Sequence, residues 1–196
     1  TVSVTTHVIV GSSSGHGMLS AVNSGITIGE DLYVQNFGSI SDPGTGTATF
    51  TNSSLNVGGS VVIGPVYPGG AGSLSLVNST MNVGGILRVG QSSNAQTLFG
   101  DSALHVDRSH VDVAEDMILD IGASLEFVLG GTARGTDYGA IDALSAVLDG
   151  DLVVSFEFLP IIAPFDFDLI VTELSDGITG DFLSLSILGL SPMFYA

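Results

Sequence analysis

Residues suited to chemistry are concentrated in one polar segment, residues 105–112. On a β-strand, residues two apart share a face, so His105 lies beside Asp107 and His110 lies beside Asp112. Imidazole and carboxylate groups are metal ligands, and the two pairs would form a cation site if they met across a corner of the chain. A solvated outer face explains the same residues more simply, so we predict no metal site and no cofactor.

Paired carboxylates offer a second kind of chemistry, the acid and base of a glycosidase. Glu30 with Asp31 and Glu115 with Asp116 occupy the same position in a repeat. Oxygen ligands for Ca²⁺ are also present in turns, although no EF-hand pattern contains them: they are Asp149, Asp151, Asp166, Asp168, Asp176 and Asp181. The chain has only three cations, no lysine and no cysteine. The lack of lysine and cysteine excludes a P-loop and thiolate zinc sites, and we predict no catalytic residue and no enzyme activity.

The elements that position these residues follow from an internal repeat. Asn-Ser-Ser-Leu-Asn-Val-Gly-Gly at residues 52–59 recurs as Asn-Ser-Thr-Met-Asn-Val-Gly-Gly at residues 78–85, which is 26 residues later. Degenerate copies extend the repeat over residues 18–131. A fixed period of this length indicates a solenoid, in which each coil stacks on the one before it.

Each copy contains three pairs of apolar residues, and one residue separates the members of each pair. In the clearest copy the pairs are Leu74/Leu76, Met81/Val83 and Leu87/Val89. An apolar residue at every second position predicts a strand with one buried face. The predicted fold class is therefore all-β: a β-solenoid with three short strands per coil and about four coils. Recurrent corner glycines are expected to supply the backbone angles of a tight bend.

Insertions between the copies fall on one side of the predicted rod, in residues 35–47, 64–73 and 90–103. A solenoid tolerates insertions at such loops, and binding specificity often resides in them. Tyr67 and Phe99 have rings that can stack on a sugar, which makes them the candidate ligand-binding residues.

Asn52 and Asn78 begin Asn-x-Ser/Thr patterns and are the candidate glycosylation sites. They also stand at the same corner of two successive coils. A ladder of Asn and Ser side chains that satisfies backbone groups at the bend is the alternative, and we favour it.

Residues 1–17 combine a strand pattern with a glycine-rich hinge. Val2, Val4, Val8 and Val10 fall on one face of the expected strand. Such a tethered strand can cap its own solenoid, or it can add to the edge of a neighbouring subunit. The four valines are candidate assembly residues, together with two aromatic residues of the apolar tail, Phe194 and Tyr195.

The period is lost after residue 131. Residues 132–196 have longer alternating runs separated by turn signals such as Asp149-Gly150-Asp151. We expect this segment to be an antiparallel β module. The predicted organisation is residues 1–17 as N-terminal strand and hinge, 18–131 as solenoid and 132–196 as C-terminal module.

The net charge of −17 is distributed unevenly along the chain. Residues 1–100 hold three acids and Arg88, whereas residues 101–196 hold 17 acids and two arginines. Phosphate recognition requires cations, so nucleic acid is excluded as a partner. The sequence has no apolar run long enough to span a membrane, so we expect no membrane insertion.

The recurrent pattern Asn-Ser-x-Leu/Met-Asn-Val-Gly-Gly resembles the repeats of bacterial surface β-solenoids, which occur in autotransporter passengers and in secreted proteins with a PEP-CTERM sorting tail. The segment that begins Gly135-Thr136-Asp137-Tyr138 is similar to the β segment that often closes such passengers. The resemblance implies an exported protein, located outside the cell or at its surface. It transfers no catalytic residue to this chain.

Two functions remain open. The first is an extracellular structural subunit whose partners are copies of itself, assembled end to end into a filament or matrix fibre, with donation of the N-terminal strand as one mechanism. The second is a monomeric adhesin that binds glycans through the three loops. A rod without a recognisable reaction site favours the first.

Overall fold

The computed structural model describes residues 1–12, 14–35, 44–64, 70–90, 101–158 and 166–189. Within these ranges the chain forms only short strands. They are β1 (Val2–Val4), β2 (Val8–Val10), β3 (His16–Val22), β4 (Gly25–Ile28), β5 (Leu32–Val34), β6 (Thr45–Thr51), β7 (Ser54–Val57), β8 (Val61–Ile63), β9 (Ala71–Val77), β10 (Thr80–Val83), β11 (Leu87–Val89), β12 (Ser102–Asp107), β13 (His110–Leu119), β14 (Ala123–Leu129), β15 (Ala140–Leu148), β16 (Asp151–Phe156), β17 (Ile170–Thr172), β18 (Ile178–Gly180) and β19 (Ser184–Leu188).

The strands stack in three columns, and the fold is a β-solenoid as predicted. The first column contains β1, β4, β7, β10, the start of β13, the start of β15, and β17. The second contains β2, β5, β8, β11, the ends of β13 and β15, and β18. The third is a seven-stranded sheet of β3, β6, β9, β12, β14, β16 and β19. All pairings between these strands are parallel and join successive coils.

Inward apolar residues alternate with outward residues in the same way in every coil, and the inward residues form the core. Leu74 pairs with Leu104, and Leu104 pairs with Leu125, so that one inward position forms a continuous apolar row along the axis. These three leucines are fully buried, as are the large rings Phe50 and Phe127 in the adjacent row. The predicted apolar pairs of the repeat all face this core, because each short strand shows one face inward.

The solenoid extends beyond the four predicted coils at both ends. At the N-terminus, the expected single strand is two strands, β1 and β2, separated by residues 5–7. They pair in parallel with β4 and β5 of the same chain and form a first coil. The expected hinge is shorter than predicted, because His16 and Gly17 already belong to β3.

The expected antiparallel C-terminal module is a wrong prediction. β15, β16, β17, β18 and β19 all pair in parallel with the coil before them and continue the same columns. The turn at Asp149-Gly150 leads from the second column into the third, so it is a solenoid corner rather than a hairpin. The predicted boundary between residues 131 and 132 falls in the connection between β14 and β15.

The corner glycines also differ from the prediction in their role. Gly29, Gly58 and Gly84 do not have positive φ angles. They are required for space, because a Cβ on Gly58 would lie 2.4 Å from the Gly29 carbonyl oxygen, and a Cβ on Gly84 would lie 2.4 Å from that of Gly58. Glycine therefore lets successive corners stack at strand spacing.

A second corner carries a ladder of serines. Asn23, Asn52 and Asn78 stand there in the left-handed conformation, with φ near 50°, and a serine follows each. The Ser53 amide donates to Ser79 Oγ at 3.0 Å, and the Ser79 amide donates to Ser109 Oγ at 2.9 Å. Each hydroxyl in turn donates to the carbonyl two residues before it, as Ser79 does to Val77 at 2.8 Å.

Replacing Ser79 by alanine should destabilise the solenoid by about 1–3 kcal/mol, because the buried Ser53 amide would lose its acceptor. Denaturant unfolding followed by circular dichroism measures the change. Ser75→Ala is the matched control, since Ser75 faces outward on β9. Equal stability of the Ser79→Ala and Ser75→Ala variants would show that the ladder contributes nothing.

Candidate functional site

The four candidate assembly valines of the N-terminus lie in the first coil. Their side chains belong to the inward-facing rows of the first and second columns. Val10 is buried, Val4 and Val8 are half-buried, and Val2 is 56 % exposed. Their strands pair with the same chain, which is the arrangement of a cap. Among the described strands, β1 and β2 have a neighbour on one side only.

The last coil, β17 to β19, carries most of the exposed large apolar side chains of the described chain. Ile178 occupies an inward position above Ala146, which is fully buried, yet Ile178 is 48 % exposed. Leu185 continues the buried leucine row and is 59 % exposed. The other members are Val171, Leu174, Leu183, Ile187 and Leu188. Phe194 and Tyr195, also predicted as assembly residues, lie outside the described residues.

Charge is distributed differently at the two end coils. The last coil and the segment that leads into it expose five carboxylates, which belong to Asp166, Asp168, Glu173, Asp176 and Asp181. The sequence before Glu30 contains no acid and has two histidines, His7 and His16. At the corner between β1 and β2, His7 lies 3.7 Å from Glu30 of the following coil. The same corner of the last coil holds Glu173 and Asp176.

An open groove of about 520 Å³ runs along the first column, on the outside of the rod. Its polar wall is formed by successive outward residues in register, Thr27, Asn56, Asn82 and Asp112. Asn82 Nδ2 donates to Asn56 Oδ1 at 2.7 Å. The floor is the backbone of the stacked corner glycines. The arrangement presents one polar group per coil to an extended ligand.

The polar segment at residues 105–112 does not come together as a single cluster. His105 lies 3.0 Å from Glu126, and His110 lies 3.3 Å from Asp142, each on the next coil. Arg134 also binds Asp142, with a shortest distance of 2.6 Å. In the part of the chain that the structure describes, no three His, Asp or Glu side chains are placed to hold a metal ion.

Asp107 instead pairs with the adjacent Arg108, whose Nη2 donates to Asp107 Oδ2 at 2.8 Å. This hydrogen bond raises the pKa of the Arg108 guanidinium. Arg108 occupies the left-handed corner position that asparagine holds in the preceding coils, and its Nη1 lies 3.5 Å from Glu157. The arrangement links the coil of β12 to the coil of β16, two coils further along the rod.

A partly buried ion pair, absent from the sequence predictions, joins two coils in the second column. Arg88 donates to both carboxylate oxygens of Asp120, at 2.7 and 2.8 Å. Burial raises the pKa of Asp120, and this effect outweighs the lowering by Arg88. Asp149, one coil further on, adds to the increase. The only clue in the sequence is that Arg88 is the one Lys or Arg among the first hundred residues.

The candidate glycosylation residues Asn52 and Asn78 expose their side chains at the corner, while the serine that follows each asparagine forms the internal ladder. The ladder, which the sequence analysis favoured, is formed by the serines, and the asparagines supply the left-handed backbone. Glycosylation of Asn52 and Asn78 stays a prediction. The candidate sugar-stacking residues Tyr67 and Phe99 lie outside the described residues.

The comparisons with known proteins give no relative. The chain matches no protein family, no curated protein and no solved structure. Among the described residues, none of the elements is a helix of the length and apolar character needed to cross a bilayer.

The raised pKa of Asp120 predicts a pH dependence of stability. Because the folded protein holds this proton more tightly than the unfolded chain, the contribution is full below the ordinary pKa of 3.8 and is lost as pH rises through the folded value. Relative to Asp120→Asn, the native chain should therefore lose unfolding free energy as the pH rises above 3.8. Denaturant titrations of both proteins at increasing pH measure the two unfolding free energies. If the native chain instead became more stable relative to Asp120→Asn as the pH rises, the raised pKa of Asp120 would be contradicted.

Proposed function

We propose that this protein is an extracellular structural subunit that assembles end to end into a filament or matrix fibre. The observation that carries the proposal is the match between the two end coils: both have the same three strand columns, and the last coil exposes an apolar surface. Parallel strand edges pair readily with further strands of the same geometry. A second copy can therefore continue all of the columns.

The character of the described surface supports a structural role. Its three arginines and three of its four histidines pair with carboxylates, as in Arg88 with Asp120 and His105 with Glu126. These two pairs each join neighbouring coils. A rod held by backbone hydrogen bonds, with no cysteine, resists unfolding without disulfides. That property suits a protein outside the cell or at its surface.

Addition of a whole coil is a simpler mechanism than donation of a single N-terminal strand. Donation would require β1 and β2 to leave β4 and β5, with the loss of their parallel pairing. Stacking of one end on the other keeps these hydrogen bonds and adds new ones between copies.

Electron microscopy and light scattering of the purified chain test the proposal. The native protein should form fibres of uniform width. Ile178→Asp should prevent them, because a charge would be buried in the joint. Ile121→Asp is the matched control: Ile121 is 45 % exposed, close to the 48 % of Ile178, and lies at a corner in the middle of the rod. A native protein that stays monomeric up to high concentration would refute the proposed function.

The groove along the first column favours a second candidate, binding of a neutral glycan by a surface adhesin. Asn56 and Asn82 present amides at the spacing of successive coils, about 4.8 Å. Asn82→Ala should then weaken binding in a glycan array about tenfold, as expected for a lost hydrogen bond to a ligand. Thr80→Ala, exposed on the same strand, is the control. An array without hits would exclude this candidate.

A further inference from the structure

We infer that the joint between copies is polar and in register: β1 and β2 of one copy pair in parallel with β17 and β18 of the next. The inference rests on the proposed end-to-end assembly and specifies its contact surface. It predicts that all subunits of a fibre point in the same direction. Pairing of like ends would instead reverse the direction at every joint.

The register follows from the inward rows. In the first column, Val2 pairs with Ile26, and Ile141 pairs with Ile170 at the other end of the same row. Placing Val2 of the next copy on Ile170 continues that row without a shift. In the second column, the same translation places Val8 on Ile178. Both pairs join apolar side chains that are half-buried or exposed in the single chain.

The polarity follows from charge. Two last coils facing each other would bring ten carboxylates to one joint, and like charges in register are destabilising. Two first coils facing each other would leave the apolar surface of β17 and β18 in water. Only a joint between the first coil of one copy and the last coil of another covers that surface. It also places the acids of the last coil against a first coil that contains no acid. It also sets the His7 corner over Glu173 and Asp176, as His7 already lies over Glu30 within the chain.

Because the chain has no cysteine, introduced cysteines can report the register. Ser3 and Val171 are exposed and end the same outward row of the first column. In the inferred joint they are direct neighbours, at a Cα separation of about 5 Å that permits a disulfide. Within one molecule they stand at opposite ends of the rod, so a disulfide between them reports a contact between copies.

The experiment mixes Ser3→Cys and Val171→Cys proteins of different tag size and oxidises them in air. The mixed dimer should be the main product, each variant alone should give none, and the double variant should give a ladder of covalent polymers. Asn56→Cys replaces Ser3→Cys as the control. It lies two coils further along the same row, beyond the reach of a disulfide, and should not link to Val171→Cys.

Each other outcome overturns the inference. A dimer of Val171→Cys alone would show that like ends meet. Fibres in the microscope without the mixed link would refute the register while leaving the proposed function intact. Assembly that begins only after residues 190–196 are deleted would assign that segment, rather than a second copy, to the last coil. If neither the native protein nor any variant assembles, the proposed function is wrong, and the inference that rests on it is wrong with it.

Discussion

Parallel hydrogen bonding between coils is the constraint on which the rest of this structure depends. A strand in any coil finds its backbone partners in the coils on either side of it. Long-range pairing of this kind fixes the register of the whole rod, because a shift by one residue would turn the leucine row of β9 and β12 outward. The same constraint leaves the end coils as the places where backbone groups and apolar side chains have fewer neighbours.

The corners show how local sequence satisfies this constraint. Glycine at positions 58 and 84 provides room for the carbonyl of the preceding coil. Serine at positions 53, 79 and 109 carries the hydrogen bonding from coil to coil around a second corner, where strand pairing is interrupted. Each device works only when its counterpart stands one coil away, which explains why the repeat is clearest at the corners.

The central coils could be predicted from the sequence because corner signals and apolar pairs recur there together. Beyond them the corner signals change. At the glycine corner of the next coil, β13 runs continuously through Ala114 and Glu115. One coil later the serine position is taken by Gly139. The first coil turns at residues 5–7, which contain no glycine. Parallel pairing is decided by strands distant in sequence, so local turn residues near Asp149 wrongly suggested hairpins.

The candidate surfaces were predictable only in part. The charge asymmetry between the two halves is a property of composition and can be read directly from the sequence. The Arg88–Asp120 pair and the outward row from Thr27 to Asp112 join residues about one coil apart, and only the register brings them together. The serine ladder was foreseen as one interpretation of the Asn-Ser corners, but its exact atoms depend on the left-handed turn at Asn52 and Asn78.

The most direct measurement is the axial rise per subunit in fibres of the native protein, obtained by electron cryomicroscopy. Seven strands in the third column, stacked at about 4.8 Å, predict a rise of about 34 Å with an unbroken strand spacing across the joint. A markedly larger rise, an interruption of the strand spacing at each joint, or alternating subunit orientation would contradict assembly by continuation of the solenoid.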